Sequence, residues 1–236
     1  MNQENYHNTI KEHIKNHEQN SIFVASKLYS DKMQHIPELT FYKSLERLTK
    51  DEILVRLAKG VYSVPKATRF GTVKANEKQV IEHFTGLNGE YGLVIGYGLY
   101  SKYHLTTQVA KKTELYSNRL EAQQKRIGNV VVHRIELNMT PEVRRMIEAL
   151  EVLDHYGNIE NMNYSAFYRY LKTIAQNYNE FAVRKVQHAL RYKKRTIAFL
   201  AMILDSFKIE HDLQKMLSGT SRYKFPTIEE IYEAAQ

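Results

Sequence analysis

Apolar residues recur at helical spacing near the start of the chain. Tyr6, Ile10 and Ile14 follow one another at intervals of four. This spacing predicts a first helix from residue 5 to about residue 16 with one buried stripe. The segment SIFVAS, residues 21–26, has no helical period, and we expect it to be a short extended or buried stretch.

A second amphipathic run predicts another helix, the third of this region after a short one that follows SIFVAS. Phe41, Leu45 and Leu48 lie at i, i+4 and i+7, which places them on one face. Thr40 comes just before the run and is a good N-cap residue, so we expect the helix to begin there.

Two strands with a tight turn are predicted directly after this helix. Residues 53–57 and 61–64 alternate between apolar and polar positions around Ala58-Lys59-Gly60. Glycine takes the positive φ that a tight hairpin needs. Two short helices, a third helix and a hairpin within about 65 residues are typical of a winged helix-turn-helix.

The polar side of the third helix and its flanks supplies candidate DNA contacts. In a winged helix-turn-helix the third helix lies in the major groove, and the hairpin reaches the phosphates or the minor groove. Arg and Lys donate to guanine edges or phosphates, and hydroxyl groups donate or accept. The predicted DNA-binding residues are Thr40, Tyr42, Lys43, Ser44, Arg47, Lys50, Arg56, Lys59, Lys66 and Arg69.

Positive charge is concentrated in the same region. Residues 40–78 contain nine Lys or Arg against four acids. A basic outer face is also what an ordinary solvated helix shows, and many winged-helix domains mediate protein contacts without binding DNA. Charge and periodicity alone therefore leave open a winged-helix protein-interaction module.

A family resemblance favours the DNA-binding interpretation. The matching positions are Leu45, Leu48, Ile53, Leu54, Arg56, Gly60-Val61-Tyr62, Pro65-Lys66, Gly96-Tyr97-Gly98-Leu99-Tyr100, Leu105-Thr106-Thr107-Gln108-Val109, Thr113, Gly128 and Arg134. Over roughly residues 20–135 they resemble, in order and spacing, the AbiEi family of antitoxins from type IV abortive-infection toxin-antitoxin pairs. The resemblance implies a repressor of its own operon that binds inverted repeats. It also implies a nucleotidyltransferase-like toxin that is opposed without a stable complex.

The rest of the chain changes from mixed α/β to helical. We expect a helix within residues 75–86, a strand within 129–137 and a helix from Pro141 to Gly157. Further helices are predicted at residues 163–177, 179–193, 195–206 and 227–235, the third of them buried because it is apolar on nearly all sides. The predicted fold class is α+β and predominantly helical, with an N-terminal winged helix-turn-helix.

One further stretch, RKVQHALRYKKR, is strongly basic and contains no acid. A solvated helix face is the default interpretation. We favour a second basic surface for flanking DNA or for an acidic partner, because like charges at this density repel one another unless something offsets them. Its cations are Arg184, Lys185, Arg191, Lys193, Lys194 and Arg195.

The overall composition and net charge indicate the kind of partner, and they exclude few classes of protein. The chain has 236 residues, is 43% hydrophobic and carries a formal net charge of +8, which favours a polyanionic or acidic partner. No apolar run reaches the roughly 20 residues that span a bilayer, so we expect a cytoplasmic protein without a membrane contact. Catalytic and cofactor motifs are missing, and His13 with His17 supplies only a pair of metal ligands. We therefore expect no enzyme, no cofactor and no metal site.

The predicted organisation has two parts. Residues 1–70 form the winged helix-turn-helix that binds operator DNA. Residues 71–236 form a C-terminal antitoxin or assembly domain, mixed α/β to about residue 140 and helical afterwards, assigned to self-association on DNA or to meeting a partner. The function that follows is a DNA-binding autorepressor and antitoxin. The rivals are the protein-interaction module and an RNA-modifying or nucleotide-transferring enzyme, which needs a carboxylate-lined cleft.

Overall fold

The chain folds into mixed helices and small sheets, and about half of it is helical. The structure is a computed structural model that describes residues 3–69, 71–217 and 223–236. The predicted domain boundary at residue 70 falls outside the described residues. Mixed α and β content with a helical majority among the regular elements agrees with the predicted α+β class.

The first seven elements, with the exception of the strand at Val55–Ala58, contribute side chains to one apolar core. In chain order they are α1 (Gln3–Lys15), β1 (Ile22–Val24), α2 (Ala25–Leu28), a π-helical turn (Tyr29–Met33), α3 (Glu38–Lys50), β2 (Val55–Ala58) and β3 (Val61–Ser63). The strands form an antiparallel sheet in the order β1-β3-β2. Ile10 and Ile14 of α1 pack with Phe41, Leu45 and Leu48 of α3 in this core, as the sequence predicts.

The start of α3 corrects one prediction. The helix begins at Glu38 and not after Thr40, because Pro37 precedes it with a φ of −56°. The Pro37 carbonyl accepts hydrogen bonds from the backbone amides of Thr40 and Phe41. Proline is preorganised for the start of a helix, so no hydroxyl cap is needed there.

A separate hairpin follows the three-stranded sheet. Strands β4 (Lys66–Thr68) and β5 (Gly71–Val73) pair only with each other, in a two-stranded sheet. We call this hairpin the ribbon. All six strand residues are exposed. The sequence pattern predicts no second hairpin here, although Lys66 and Arg69 are among the candidate DNA contacts.

The central section is a four-stranded sheet with helices on it. It contains α4 (Glu77–Thr85), β6 (Gly92–Ile95), α5 (Tyr97–Lys102), β7 (Thr113–Ser117), β8 (Gln124–Ile127) and β9 (Val130–Arg134). The strand order is β6-β7-β9-β8, with β7 and β9 parallel and the other pairs antiparallel. Ile22 and Val61 of the first sheet join Phe84 and Leu115 in a second apolar core. The two sheets are therefore packed together.

The remainder is helical. It contains α6 (Pro141–His155), a 3₁₀ turn (Tyr156–Asn158), α7 (Tyr164–Gln176), α8 (Glu180–Leu190), α9 (Lys194–Ser206), a 3₁₀ turn (Leu213–Met216) and α10 (Ile228–Glu233). Helix α9 is buried on nearly all sides, as its composition predicts. None of the helices within residues 3–69, 71–217 and 223–236 combines the length and the apolar composition that a transmembrane helix needs.

Two buried carboxylates on α6 link the central sheet to the helical part. Glu148 accepts hydrogen bonds from Lys102 Nζ at 2.6 Å and Tyr103 Oη at 2.5 Å. Glu151 accepts from Tyr116 of β7 at 3.2 Å and from Tyr192, which precedes α9, at 2.6 Å. Burial raises the pKa of Glu151, while the two tyrosine hydroxyls lower it. Since each acid has partners, both act as polar anchors in an apolar core.

Candidate nucleic-acid interface

The outward side of α3 is a cationic surface, which we call the α3 outer face. Its residues are Leu39, Lys43, Glu46, Arg47 and Lys50, and all of them are exposed. Opposite them, Phe41, Leu45 and Leu48 are fully buried. No ion pair joins Lys43, Arg47 or Lys50 to an acid within the described ranges. Their ammonium and guanidinium groups are therefore available to an external anion.

Ser44 does not belong to this face. Its side chain is only 3% exposed, so the predicted base contact by Ser44 is wrong. Ser44 lies three residues after Phe41 and four before Leu48, which puts it on the buried stripe of the helix. This spacing could have revealed its position from the sequence.

Thr40 and Tyr42 lie at the edges of the α3 outer face. Both are half-buried. The Tyr42 ring packs against Phe41 and Tyr29, with ring centroids 5.3 and 6.5 Å apart. Burial raises the pKa of the Tyr42 hydroxyl, and Glu38 and Glu121 raise it further. Glu121 belongs to the loop between β7 and β8, so the central section approaches α3 on this side.

Arg56 lies close to α3. It is exposed on the edge strand β2, directly opposite Tyr62 in the pairing with β3. Burial raises the pKa of Tyr62, the Arg56 charge lowers it, and the Glu46 charge raises it. Since Tyr62 packs in one core with the buried side of α3, Arg56, its cross-strand neighbour, lies on the side of the sheet that faces α3.

The turn between β2 and β3 is held against the rest of the molecule. The Lys59 carbonyl accepts a hydrogen bond from Lys125 Nζ at 3.0 Å. The Gly60 carbonyl accepts one from the amide of Ala25 at 2.8 Å. Gly60 has a φ of 76°, which few other residues adopt. The Lys59 side chain is exposed, but the turn itself is not a projecting loop.

The ribbon carries the remaining predicted cations of this region. Lys66 and Arg69 are exposed, and so is Lys74 directly after β5, which sequence reasoning did not include. Residues 53–76 contain no acid. Because Ser63 pairs with Val55, the ribbon leaves the first sheet at the end where α3 leads into β2.

A cleft joins the base of the ribbon to β2. Lys74 and Arg56 line the same cleft of about 300 Å³. Lys59 lies at the opposite end of the hairpin from the start of the ribbon. The structure thus brings the ribbon, Arg56 and the end of α3 into one region, and it places Lys59 apart.

The second basic surface is not one helix. Helix α8 ends at Leu190, Arg191 takes a left-handed conformation with a φ of 54°, and α9 begins at Lys194. The helix predicted at residues 179–193 is therefore confirmed over Glu180–Leu190, and only its predicted end is wrong. A non-glycine residue in this conformation ends the helix, because it turns the chain out of the helical path.

Acids and aromatic rings offset several of these cations. Arg184 pairs with Glu180 at 2.7 Å, and Lys193 lies 3.7 Å from Asp154. Lys185 Nζ lies 4.3 Å from the centroid of the Phe181 ring. Arg195 donates to the Tyr156 hydroxyl at 3.1 Å. The repulsion that suggested an external anion is thus relieved in part within the chain, while Lys194 is exposed.

A further cleft lies between the first helices and α4. It has a volume of about 230 Å³, and Lys27, Lys32, Arg119 and His83 are among its lining residues. Arg119 stacks on the Tyr91 ring at 3.4 Å and donates to the His83 carbonyl at 3.0 Å. Burial, followed by the charges of Arg119 and Lys27, lowers the pKa of His83 to about 4.

We predict that His83 makes stability depend on pH. As the pH falls below 6.5, the unfolded chain takes up this proton, whereas folded His83 stays neutral until about pH 4. The free energy of unfolding should therefore decrease across this window. Urea unfolding at pH 7 and pH 4.5 should show a smaller decrease for His83→Gln than for the wild type. Equal decreases in the two proteins would contradict the prediction.

Comparison with known proteins identifies the family. Residues 9–134 match the family described as "Family of unknown function (DUF6088)". The chain belongs to the DUF6088 family. The matched range of this DUF6088 protein spans the first sheet, the ribbon and the central sheet, and it ends before α6.

Other comparisons of the DUF6088 protein give less. No curated protein matches it. Among solved structures it is similar to the crystal structure of RV2827C protein from Mycobacterium tuberculosis, with 8% sequence identity and a TM-score of 0.41. That similarity covers 87% of this chain and 78% of the other.

Within the described ranges, no group of three or more His, Cys, Asp or Glu residues could hold a metal ion.

Proposed function

We propose that the protein binds duplex DNA in a sequence-specific manner through a winged helix-turn-helix at its N-terminus. The observation that carries this proposal is the α3 outer face. Three exposed cations, Lys43, Arg47 and Lys50, share one side of the helix without an ion pair among the described residues. Cations on one helical face suit the phosphates and guanine edges of the major groove.

The order of elements supports the proposal. Helix, strand, helix, helix, strand and strand follow one another from α1 to β3, and the sheet order is β1-β3-β2. Helix α2 and its π-helical turn precede α3, and this order supports a helix-turn-helix in which α3 is the second helix. In that motif the second helix lies in the major groove, while the first crosses the backbone.

Residues of α3 and its surroundings then divide into two roles. Lys43, in the middle of the helix, and Arg47, in its last turn, read bases, and Tyr42 and Thr40 border the contact. Lys50, Arg56 and the ribbon cations hold phosphates. Phosphate contacts supply much of the affinity, so binding weakens steeply as salt concentration rises.

The regulatory role follows from the family resemblance. The protein represses its own operon by binding inverted repeats, and it is the antitoxin of a type IV pair whose toxin resembles a nucleotidyltransferase. Copies of the protein associate on the operator, and the toxin is opposed without a stable complex. A nucleotidyltransferase-like reading frame directly downstream of the gene would support this assignment.

A gel shift tests DNA binding directly. The probes are the genomic fragment upstream of the gene and a shuffled fragment of equal composition, both at about 150 mM salt. A specific regulator should prefer the upstream fragment by at least about 10³-fold. Equal binding to both fragments would leave only the general attraction of a basic protein to a polyanion. Absence of binding to either fragment would favour the protein-interaction module instead.

Lys59 gives a smaller, separate prediction. If its side chain contacts phosphate only, Lys59→Gln should weaken binding to every sequence alike. The slope of log K against log salt should decrease by about one for each bound copy. Lys208→Gln, which removes one exposed cation from the helical part, is the matched control. A loss confined to one DNA sequence would show that Lys59 reads bases.

A further inference from the structure

Leu39 is an exposed apolar residue in the first turn of α3. Its relative exposure is 77%, whereas Phe41, Leu45 and Leu48 of the same helix are fully buried. Leu39 precedes Lys43 by four residues and Arg47 by eight, so the three side chains lie in one row along the α3 outer face. It is the apolar member of a face that is otherwise charged.

The position of Leu39 in the row decides what it can contact. In a helix-turn-helix, the N-terminal residues of the second helix reach the base edges in the major groove. The C5-methyl group of thymine is the apolar feature of that groove, and it is contacted by apolar side chains. A leucine in the first turn, followed by cations one and two turns later, fits a thymine beside phosphate and guanine contacts.

We propose that Leu39 selects thymine by packing against its C5-methyl group. This inference rests on the proposed DNA binding by α3. Four residues of helix span about 6 Å, and base pairs are about 3.4 Å apart. The selected thymine therefore lies within about two base pairs of the base that Lys43 contacts.

Replacement of thymine by uracil tests the inference, because it removes this methyl group and keeps the base pairing. The probe is the upstream genomic fragment in two forms, one with thymine and one with uracil throughout. Wild-type protein should bind the uracil form about fourfold more weakly for each half-site that it occupies, the expected effect of one buried methyl group. Leu39→Ala should bind both forms with nearly equal affinity.

A second exposed leucine provides the matched control. Leu87, in the loop after α4, is 85% exposed and lies off the α3 outer face. Leu87→Ala should keep the fourfold preference for thymine, which separates a local contact from any general effect of uracil on the duplex. Single thymine-to-uracil changes should then locate the preference at one position in each half-site.

The possible outcomes distinguish a failure of the proposed Leu39 contact from a failure of the proposed DNA binding. If the wild type binds the thymine fragment specifically but binds the uracil form equally well, the role of Leu39 is overturned while DNA binding stands. If Leu39→Ala keeps the wild-type preference for thymine, the contact belongs to another residue and the inference is again overturned. If the wild type binds neither form, the proposed function itself has failed.

Discussion

Replacing Lys66, Arg69 and Lys74, the three cations in and directly after the ribbon, by glutamine should weaken DNA binding by two to three orders of magnitude per bound copy at about 100 mM salt. Each phosphate contact adds about 0.9 to the slope of log K against log salt, so three contacts add about 2.7. The protein should still prefer the same operator, because the proposed base contacts lie on α3. The effect should therefore appear as lost affinity with retained specificity.

The ribbon is the basis for so large an effect. Its strands pair only with each other, and all six strand residues are exposed. A two-stranded hairpin alone is marginally stable in water, and exposed strand edges tend to be covered by a partner. Because residues 53–76 contain no acid, the charge of this stretch is complementary to an anion such as the proposed DNA. The turn at Lys59 and Gly60, by contrast, is already held by Lys125 and Ala25.

Fluorescence anisotropy with the upstream fragment from about 50 to 300 mM salt measures this slope. A control triple variant, Lys172, Lys208 and Lys224 to glutamine, removes the same charge from exposed positions in the helical part. The control should keep nearly the wild-type slope, because it lacks local phosphate contacts. If the two triple variants lower the slope equally, net charge and not the ribbon is responsible.

Helical patterns predicted the local structure well. The stripe of Phe41, Leu45 and Leu48 is buried as expected, and helix α6 runs from Pro141 to His155 close to its predicted limits. Such patterns predict helices well because a helix repeats every 3.6 residues, so the spacing of apolar residues in a short stretch of chain determines which face is buried. The hairpin from β2 to β3 could also be predicted from a local pattern, because its turn and both strands are adjacent in sequence.

Contacts between distant segments could not be predicted in this way. The segment at Ile22–Val24 was recognised as extended, but its pairing with β3 depends on residues about forty positions away. Glu148 and Glu151 are polar residues among the buried positions of α6. Their partners Tyr103 and Tyr192 lie more than 40 positions away in the sequence. Burial of such groups depends on partners that periodicity does not show.

The candidate interface shows the same difference between features that local patterns predict and features that depend on distant segments. Exposure of Lys43, Arg47 and Lys50 follows directly from the helical period. The independence of the ribbon and the attachment of the Lys59 turn depend on strand pairing and on Lys125, which is 66 residues from Lys59. The ion pair between Arg184 and Glu180 could have been predicted from the sequence, since the two residues are four positions apart on one helix.

Arg47 should be the residue on which base discrimination depends most. It lies on the outward side of α3, exposed and without an ion pair among the described residues. A guanidinium group makes two parallel hydrogen bonds to guanine O6 and N7. Arg47→Ala should cost about 1 to 3 kcal/mol of binding free energy and relax specificity at one base position in each half-site.

Two further variants separate the charge of Arg47 from its geometry. Arg47→Lys keeps the charge, so it should keep the salt slope but lose discrimination, because an ammonium group lacks the planar fork of arginine. Arg169→Ala removes an exposed arginine from α7 and should leave affinity and specificity nearly unchanged. Binding to a set of operators with every single base change measures both quantities. If Arg47→Ala weakens all of them by the same factor, Arg47 contacts phosphate, and the bases are read by other residues of α3.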